Sequence, residues 1–128
     1  RALLPVSEPD AGLPLRIGAT PLYPAGRLGR RLGLGKLYLK DDSLNPSASF
    51  KDRASAVALC RARETGAGIV ATASTGNAGS SMACVAAALG LEAVVFVPES
   101  APPAATDAAT ISSPARCTRS AVPGTRAS

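Results

Sequence analysis

Residues 69–98 read IVATASTGNAGSSMACVAAALGLEAVVFVP, and the order of residue types along them decides the fold class. IVATA (69–73) is a short, largely apolar run suited to a buried parallel strand. STGNAGSS (74–81) follows without a bulky residue. MACVAAALG (82–90) continues as a helix and stops at Gly90, a residue that closes helices readily. EAVVFVPES (92–100) supplies the next strand, cut off by Pro98. Strand, glycine-rich turn, helix and strand make a βαβ unit, whose crossover should be right-handed. The fold class is therefore α/β with a parallel sheet.

Upstream, NPSASFKDRA (45–54) opens a helix. Asn45-Pro46 breaks the chain. Ser49 is the expected N-cap, with Asp52 three residues on completing something close to a capping box. The helix runs to about Glu64 and stops at Gly66, with Phe50, Ala54, Val57, Ala58 and Ala62 expected along its buried face. KLYLKDD (36–42) alternates Leu37 and Leu39 with Lys36, Tyr38 and Lys40, the pattern of a half-buried strand. GRLGRRLGLG (26–35) reads as a short helix or turn. Residues 1–26 are rich in Pro and Gly, and IGATPLYPAG (17–26) reads as an ordered loop.

Downstream of about Ala104 the character changes. The tail holds mostly Ala, Thr, Ser, Pro and Arg. Such a stretch buries too little apolar surface to offset its ordering entropy. Residues 105–128 are therefore expected to be a disordered or out-of-frame tail on a first unit at 1–104.

Composition removes several functions. The chain has 128 residues, enough for one modest domain. It begins with Arg1, so an incomplete or processed start is expected. Histidine is absent, which excludes Ser-His-Asp and Cys-His catalysis and most zinc sites. Three widely spaced cysteines, Cys60, Cys84 and Cys117, do not form a disulfide framework or a zinc knuckle, and no metal is expected. The net charge is +5, but no basic stripe is interleaved with aromatics, which argues against nucleic acid. No apolar run reaches the roughly 18–20 residues that span a bilayer, so no membrane partner is expected. A cytoplasmic setting is the default.

Two places can carry chemistry. The first is Lys51. A helix N-terminus is partly positive, so a lysine there is electrostatically misplaced unless its amine is meant to lose a proton. Burial and the neighbouring Arg53 would favour that loss and make the amine a nucleophile toward a carbonyl. Taken alone, a surface lysine behind a cap is the simpler reading. The second is STGNAG (74–79) between strand and helix. Gly76 and Gly79 let the backbone approach a ligand, and first-turn N–H groups favour an anion. Ser74 and Thr75 add hydroxyls, and Asn77 adds an amide. A tight turn that needs glycine only for geometry is the alternative. Neither the dinucleotide fingerprint nor the Walker pattern is present. Together the two suit a carbonyl cofactor on Lys51 facing an amide and a carboxylate cradle, the equipment of a pyridoxal-phosphate enzyme that handles an amino acid.

The chain resembles the threonine synthase family, within the fold type II (tryptophan-synthase-β-like) pyridoxal-phosphate enzymes. The resemblance lies in GATPLY (18–23), LYLKDDSLNPSASFKDRA (37–54), ATASTGNAGSSMA (71–83) and VFVPESAPPA (95–104). SFKDR with STGNAG is closer to threonine synthases than to dehydratases, racemases or cysteine synthases. The resemblance implies pyridoxal 5'-phosphate as cofactor, held by Lys51, which also moves protons on the substrate. It implies that Asn77 hydrogen-bonds the ring's phenolic oxygen and that Phe50 packs beside the cofactor. It implies that Ser74, Thr75 and the backbone of Gly76 to Ala78 hold the substrate carboxylate. The implied reaction is a lyase step of threonine biosynthesis, O-phosphohomoserine and water giving threonine and phosphate. The implied partner is a small amino-acid substrate, with a homodimer for full-length members.

Family members are considerably longer. Their phosphate-cupping glycine-rich loop and the Ser or Thr at the pyridine nitrogen lie downstream of the matching region. A reading-frame shift near residue 104, on a chain that also lacks its start, would explain why the resemblance stops there. Such a chain has an incomplete sheet with exposed edges, and is expected to be poorly stable and inactive as a threonine synthase. The competing readings are a threonine dehydratase or cysteine-synthase-like enzyme, and a non-catalytic broken-gene product.

Overall fold

The computed structural model describes residues 4–7, 12–98 and 100, and the backbone of 116–120. The elements in chain order are β1 (Leu22–Pro24), α1 (Gly26–Arg31), β2 (Tyr38–Lys40), a 3-10 turn at Asp42–Leu44, α2 (Lys51–Glu64), β3 (Ile69–Ala73), α3 (Asn77–Leu89), β4 (Glu92–Pro98) and β5 (Arg116–Ser120). β3, β4 and β5 form a parallel sheet in that order. β1 and β2 form a separate antiparallel ribbon. The α/β class and the βαβ unit are as the sequence implies.

The strands of that unit pair Ile69 with Glu92 through Ala73 with Phe96. Side chains alternate across a strand, so Val70 and Thr72 share a face with Ala93, Val95 and Val97. That face is covered. Leu59 of α2, Val85 and Ala86 of α3, Leu91 and Ala93 form the main core, and Met82 bridges it to Val95 and Val97. The core contains no aromatic ring among the described residues, and its largest fully buried side chains are Val85, Val95, Val97, Asp52 and Ser81. It relies on close approach of alanine-rich helices, as the composition suggests.

Gly66 and Gly90 end α2 and α3 at positive φ, +81° and +70°, where a Cβ would be strained.

Four local expectations differ from the structure. β2 is not half-buried: all three of its residues are exposed, because among the described residues its strand partner is the equally exposed β1. β1 itself lies inside the segment expected to be loop. The buried face of α2 is carried by Asp52, Leu59 and Cys60, while Phe50, Ala54 and Ala58 are exposed. The expected face was mostly alanine, whose small side chain contributes little burial energy. Leu59 and the buried carboxylate set the rotation instead. β3 is also more open than a buried strand, with Ile69 60% exposed on the face away from α3.

The expectation of a disordered or out-of-frame stretch at 105–128 falls mostly outside the described residues. Within it, the backbone of 116–120 forms β5 beside β4.

Candidate functional site

Lys51 is the first residue of α2 and is half-buried. The loop before it is held at several points. Asn45 is buried, and its carboxamide donates to the Asp42 carbonyl at 3.0 Å and the Ser49 carbonyl at 3.2 Å. Its oxygen accepts the Gly18 N–H at 2.9 Å. One side chain thus ties the GAT loop, the 3-10 turn and the loop before Lys51 together. Phe50, not the expected Ser49, stands at the N-cap and makes no side-chain cap bond, while the Ser49 hydroxyl accepts the Lys51 N–H at 3.1 Å from one residue further back. Asp52 does not complete a box with Ser49. Its carboxylate reaches back to Ser47, accepting the backbone N–H at 2.8 Å and the hydroxyl as well. Between these anchors Ala48 stands at φ +55°, a left-handed conformation that non-glycine residues rarely adopt.

Arg53 is not a free charge beside Lys51. Its guanidinium binds both oxygens of Asp42, each at 2.8 Å. The Thr20 hydroxyl donates to the same carboxylate at 2.6 Å. The Arg53 hydrogen bond first, and the Thr20 hydroxyl second, hold the Asp42 carboxyl well below the usual carboxylate range. The same pairing raises the Arg53 pKa. Lys40 donates to the Thr20 carbonyl. Gly18, at φ +80°, lets Arg53 pass: a Cβ there would lie 3.0 Å from the guanidinium. The sequence marks Asn45 only as part of a chain break, and it marks Thr20 and Asp42 for no role in the site. Their roles depend on contacts between separate segments, which no local pattern marks. A cleft of about 500 Å³ lies on the Arg53 side of α2, lined by Leu13, Leu15, Ile17, Ala56 and Val57 among others, with Arg16 at its edge. Among the described residues its lining holds no nucleophile or carboxylate.

The Lys51 amine rests over the Phe50 ring, 4.5 Å from its centroid. Phe50 is 58% exposed, so the pair faces outward from the loop.

The second loop follows β3. Ser74 continues the strand pairing, donating its N–H to the Phe96 carbonyl at 3.1 Å. Its hydroxyl accepts the Gly76 N–H at 3.2 Å, so that N–H is engaged within the turn. Gly76 precedes α3 in an extended conformation. Gly79 and Ser80 donate to the Gly76 carbonyl. The N–H groups of Asn77 and Ala78 are the first-turn donors left at the head of the helix. Thr75, Gly76, Asn77 and Ala78 are exposed, and nothing lies within 4 Å of where a Cβ on Gly76 would stand. Gly79 is the tight point: its Cβ would meet the Ser74 carbonyl at 3.1 Å and Val95 at 3.2 Å.

The packing of α2 on α3 relates the two loops. The Ser81 hydroxyl donates to that of Ser55 at 2.7 Å. One turn on, Leu59 shares the core cluster with Val85 and Ala86. Contacts that advance together by one turn mean that the helices run side by side in the same direction. Lys51 and Asn77 stand one turn before Ser55 and Ser81, so both lead their helices at the same end of the pair. An amine, an amide and two unused N–H donors there can take a carbonyl compound carrying anionic groups.

Comparison with known proteins gives the same pieces a family. Residues 13–115 match the family described as pyridoxal-phosphate dependent enzyme. Threonine synthase of Methanocaldococcus jannaschii is 42% identical over 96 residues, which are 75% of this chain and 24% of that protein. A pyridoxal 5'-phosphate-dependent aspartate racemase superposes with a TM-score of 0.70 at 28% identity, covering 80% of this chain and 32% of that one. The processed threonine deaminase isoform 2 of Solanum lycopersicum superposes with a TM-score of 0.70 at 27% identity, covering 80% and 28%. The chain thus spans about a quarter of the length of the threonine synthase it matches. Among the described residues no helix is long and apolar enough to cross a membrane.

Proposed function

The chain belongs to the pyridoxal-phosphate dependent enzyme family, and on that premise we propose that it carries the lysine-bearing part of a threonine-synthase-type site. The reaction is conversion of O-phosphohomoserine and water to threonine and phosphate, by γ-elimination and hydration at Cβ. The observation that carries the reading is the parallel pairing of α2 and α3, which sets Lys51 and Asn77 at one end. The likeness to threonine synthase supports this choice of substrate class.

The residues present fit the cofactor. Lys51 is a half-buried amine at the end of a held loop, and open space surrounds the position where a Cβ on Gly76 would stand. When bound, pyridoxal phosphate supplies an electron sink that makes protons on the substrate's carbon chain removable. Lys51 would hold the cofactor through Nζ, and its amine would take the Cα proton of the substrate and return protons further along the chain. Asn77 would help hold the cofactor ring through its carboxamide. The Asn77 and Ala78 N–H groups and the Thr75 hydroxyl bind the substrate carboxylate. Ser74 shapes this cradle, because its hydroxyl is spent on Gly76. Phe50 lies beside the amine and would flank the cofactor.

The test is a spectral titration of the purified chain with pyridoxal phosphate, followed by O-phosphohomoserine or homoserine. A visible band that forms with the cofactor, is absent in Lys51→Ala and responds to the phosphorylated substrate alone is the expected result. A band that survives Lys51→Ala would overturn the assignment. An equal response to both substrates would move the reading to a dehydratase-like member.

A further inference from the structure

The first turn of α2 is held to the preceding loop mainly by side chains. Its opening backbone bonds, Asp52 N–H to the Ser49 carbonyl and Arg53 N–H to the Phe50 carbonyl, are both long at 3.3 Å. The side-chain ties are stronger. Both oxygens of the Asp52 carboxylate accept from Ser47, five residues back, and charge-assisted bonds of this kind are the strong ones. Asp52 is 0% exposed, whereas Lys51 beside it is half-buried. Consecutive helical residues leave the axis about 100° apart. Fixing the direction of one therefore fixes the direction of the other.

Two further observations fit. The strained Ala48 lies between Ser47 and Ser49, in a loop that must be over-determined to keep such a conformation. The charge of Asp52 also reaches α3: burial first, and Asp52 second, push the Cys84 thiol upward. The clasp thus stands near the seam between the two helices whose heads form the site.

We propose that Asp52 is a positioning residue for Lys51, its buried carboxylate clasped on Ser47 setting the rotation of the first turn of α2 and so the direction of the amine. This rests on the reading of Lys51 as the residue that holds the cofactor. Asp52 touches neither cofactor nor substrate in this scheme.

The experiment compares wild type, Ser47→Ala, Ser47→Thr and Asp52→Asn in the full 128-residue chain. Ser47→Ala removes the hydroxyl bond and keeps the N–H bond; Ser47→Thr keeps both. Two quantities are read. One is amide hydrogen exchange at residues 51–53 without cofactor. The other is the share of borohydride-fixed pyridoxal phosphate on Lys51 relative to Lys36 and Lys40. Loss of one charge-assisted bond should speed exchange by about tenfold and lower the Lys51 share by a similar factor. Circular dichroism should be unchanged, and Ser47→Thr should behave as wild type. Unchanged exchange and labelling in Ser47→Ala would overturn the proposal, as would a loss that Ser47→Thr also shows. If Asp52→Asn does not fold, the two Ser47 variants decide the matter. A wild type with no preference for Lys51 would overturn the cofactor reading and this proposal with it. A wild-type preference kept in Ser47→Ala would overturn this proposal alone.

Discussion

Ala48, at φ +55°, is where one side chain most clearly works against its backbone. A Cβ in the left-handed region costs roughly 1–2 kcal/mol, which glycine avoids at some loss of unfolded-state entropy. Ala48→Gly is therefore expected to stabilise the chain by about 1 kcal/mol, read as a higher denaturant midpoint at unchanged slope. Asp42 gives the second residue-scale expectation. Its carboxyl binds a proton less readily folded than unfolded, because Arg53 and Thr20 bond the ionised form. Below about pH 4 the unfolded chain takes up a proton that the folded one resists, so stability from this residue is complete above that pH and falls as acid approaches the folded value. Unfolding midpoints between pH 6 and pH 2 should drop less steeply in Asp42→Asn than in wild type. Equal slopes would mean that the pair with Arg53 does not act in solution. Little of this was legible beforehand. Lys51, Asn77 and the glycine-rich turn stand out because their residue types are unusual where they sit. Thr20 and Asp42 look like ordinary loop and turn residues until Arg53 is brought to them from another segment.

The helix pair α2 and α3 decides whether the site exists at all. Leu59 is the one large side chain that α2 contributes to the main core cluster. Leu59→Ala should cost about 2–5 kcal/mol and, by loosening the pair, weaken any cofactor band. Gly79 controls the seat of α3 against β3 and β4. A Cβ there meets the Ser74 carbonyl and Val95 at distances that demand movement. Gly79→Ala is expected to cost roughly 1–3 kcal/mol by overpacking, and to weaken carboxylate binding through the displaced Ser74–Gly76 turn. Thermal unfolding checks the first part and ligand titration the second. The strand–turn–helix–strand order was legible because glycine stops and apolar runs are strong signals. The buried face of α2 was not. An alanine-rich helix offers several faces of nearly equal apolarity, and tertiary contacts with Ser81 and Val85 choose among them.

For the whole molecule, the sheet is the telling feature. Parallel sheets are ordinarily covered on both faces. Here α3 covers Ala93, Val95 and Val97, while Ile69, Ala71, Ala73 and Phe96 are exposed on the opposite face. The ribbon adds exposed Leu22, Tyr23, Tyr38 and Leu39. A purified 128-residue chain is therefore expected to bind a hydrophobic dye and to self-associate with rising concentration. Polar substitutions at Ile69 and Phe96 together should reduce both effects. No change would mean that this face is covered in solution. The α/β class was readable from periodicity. The open face was not, because it depends on which segments lie against the sheet and not on the strands themselves.

The heads of α2 and α3 are proposed to form one site around Lys51. Its most direct test is to add pyridoxal phosphate to the chain, reduce with borohydride and map the modified lysines by mass spectrometry. The label is expected on Lys51 in preference to Lys36 and Lys40, with that preference lost in Asn77→Ala. Even labelling of all three lysines, or a preference indifferent to Asn77, would contradict it.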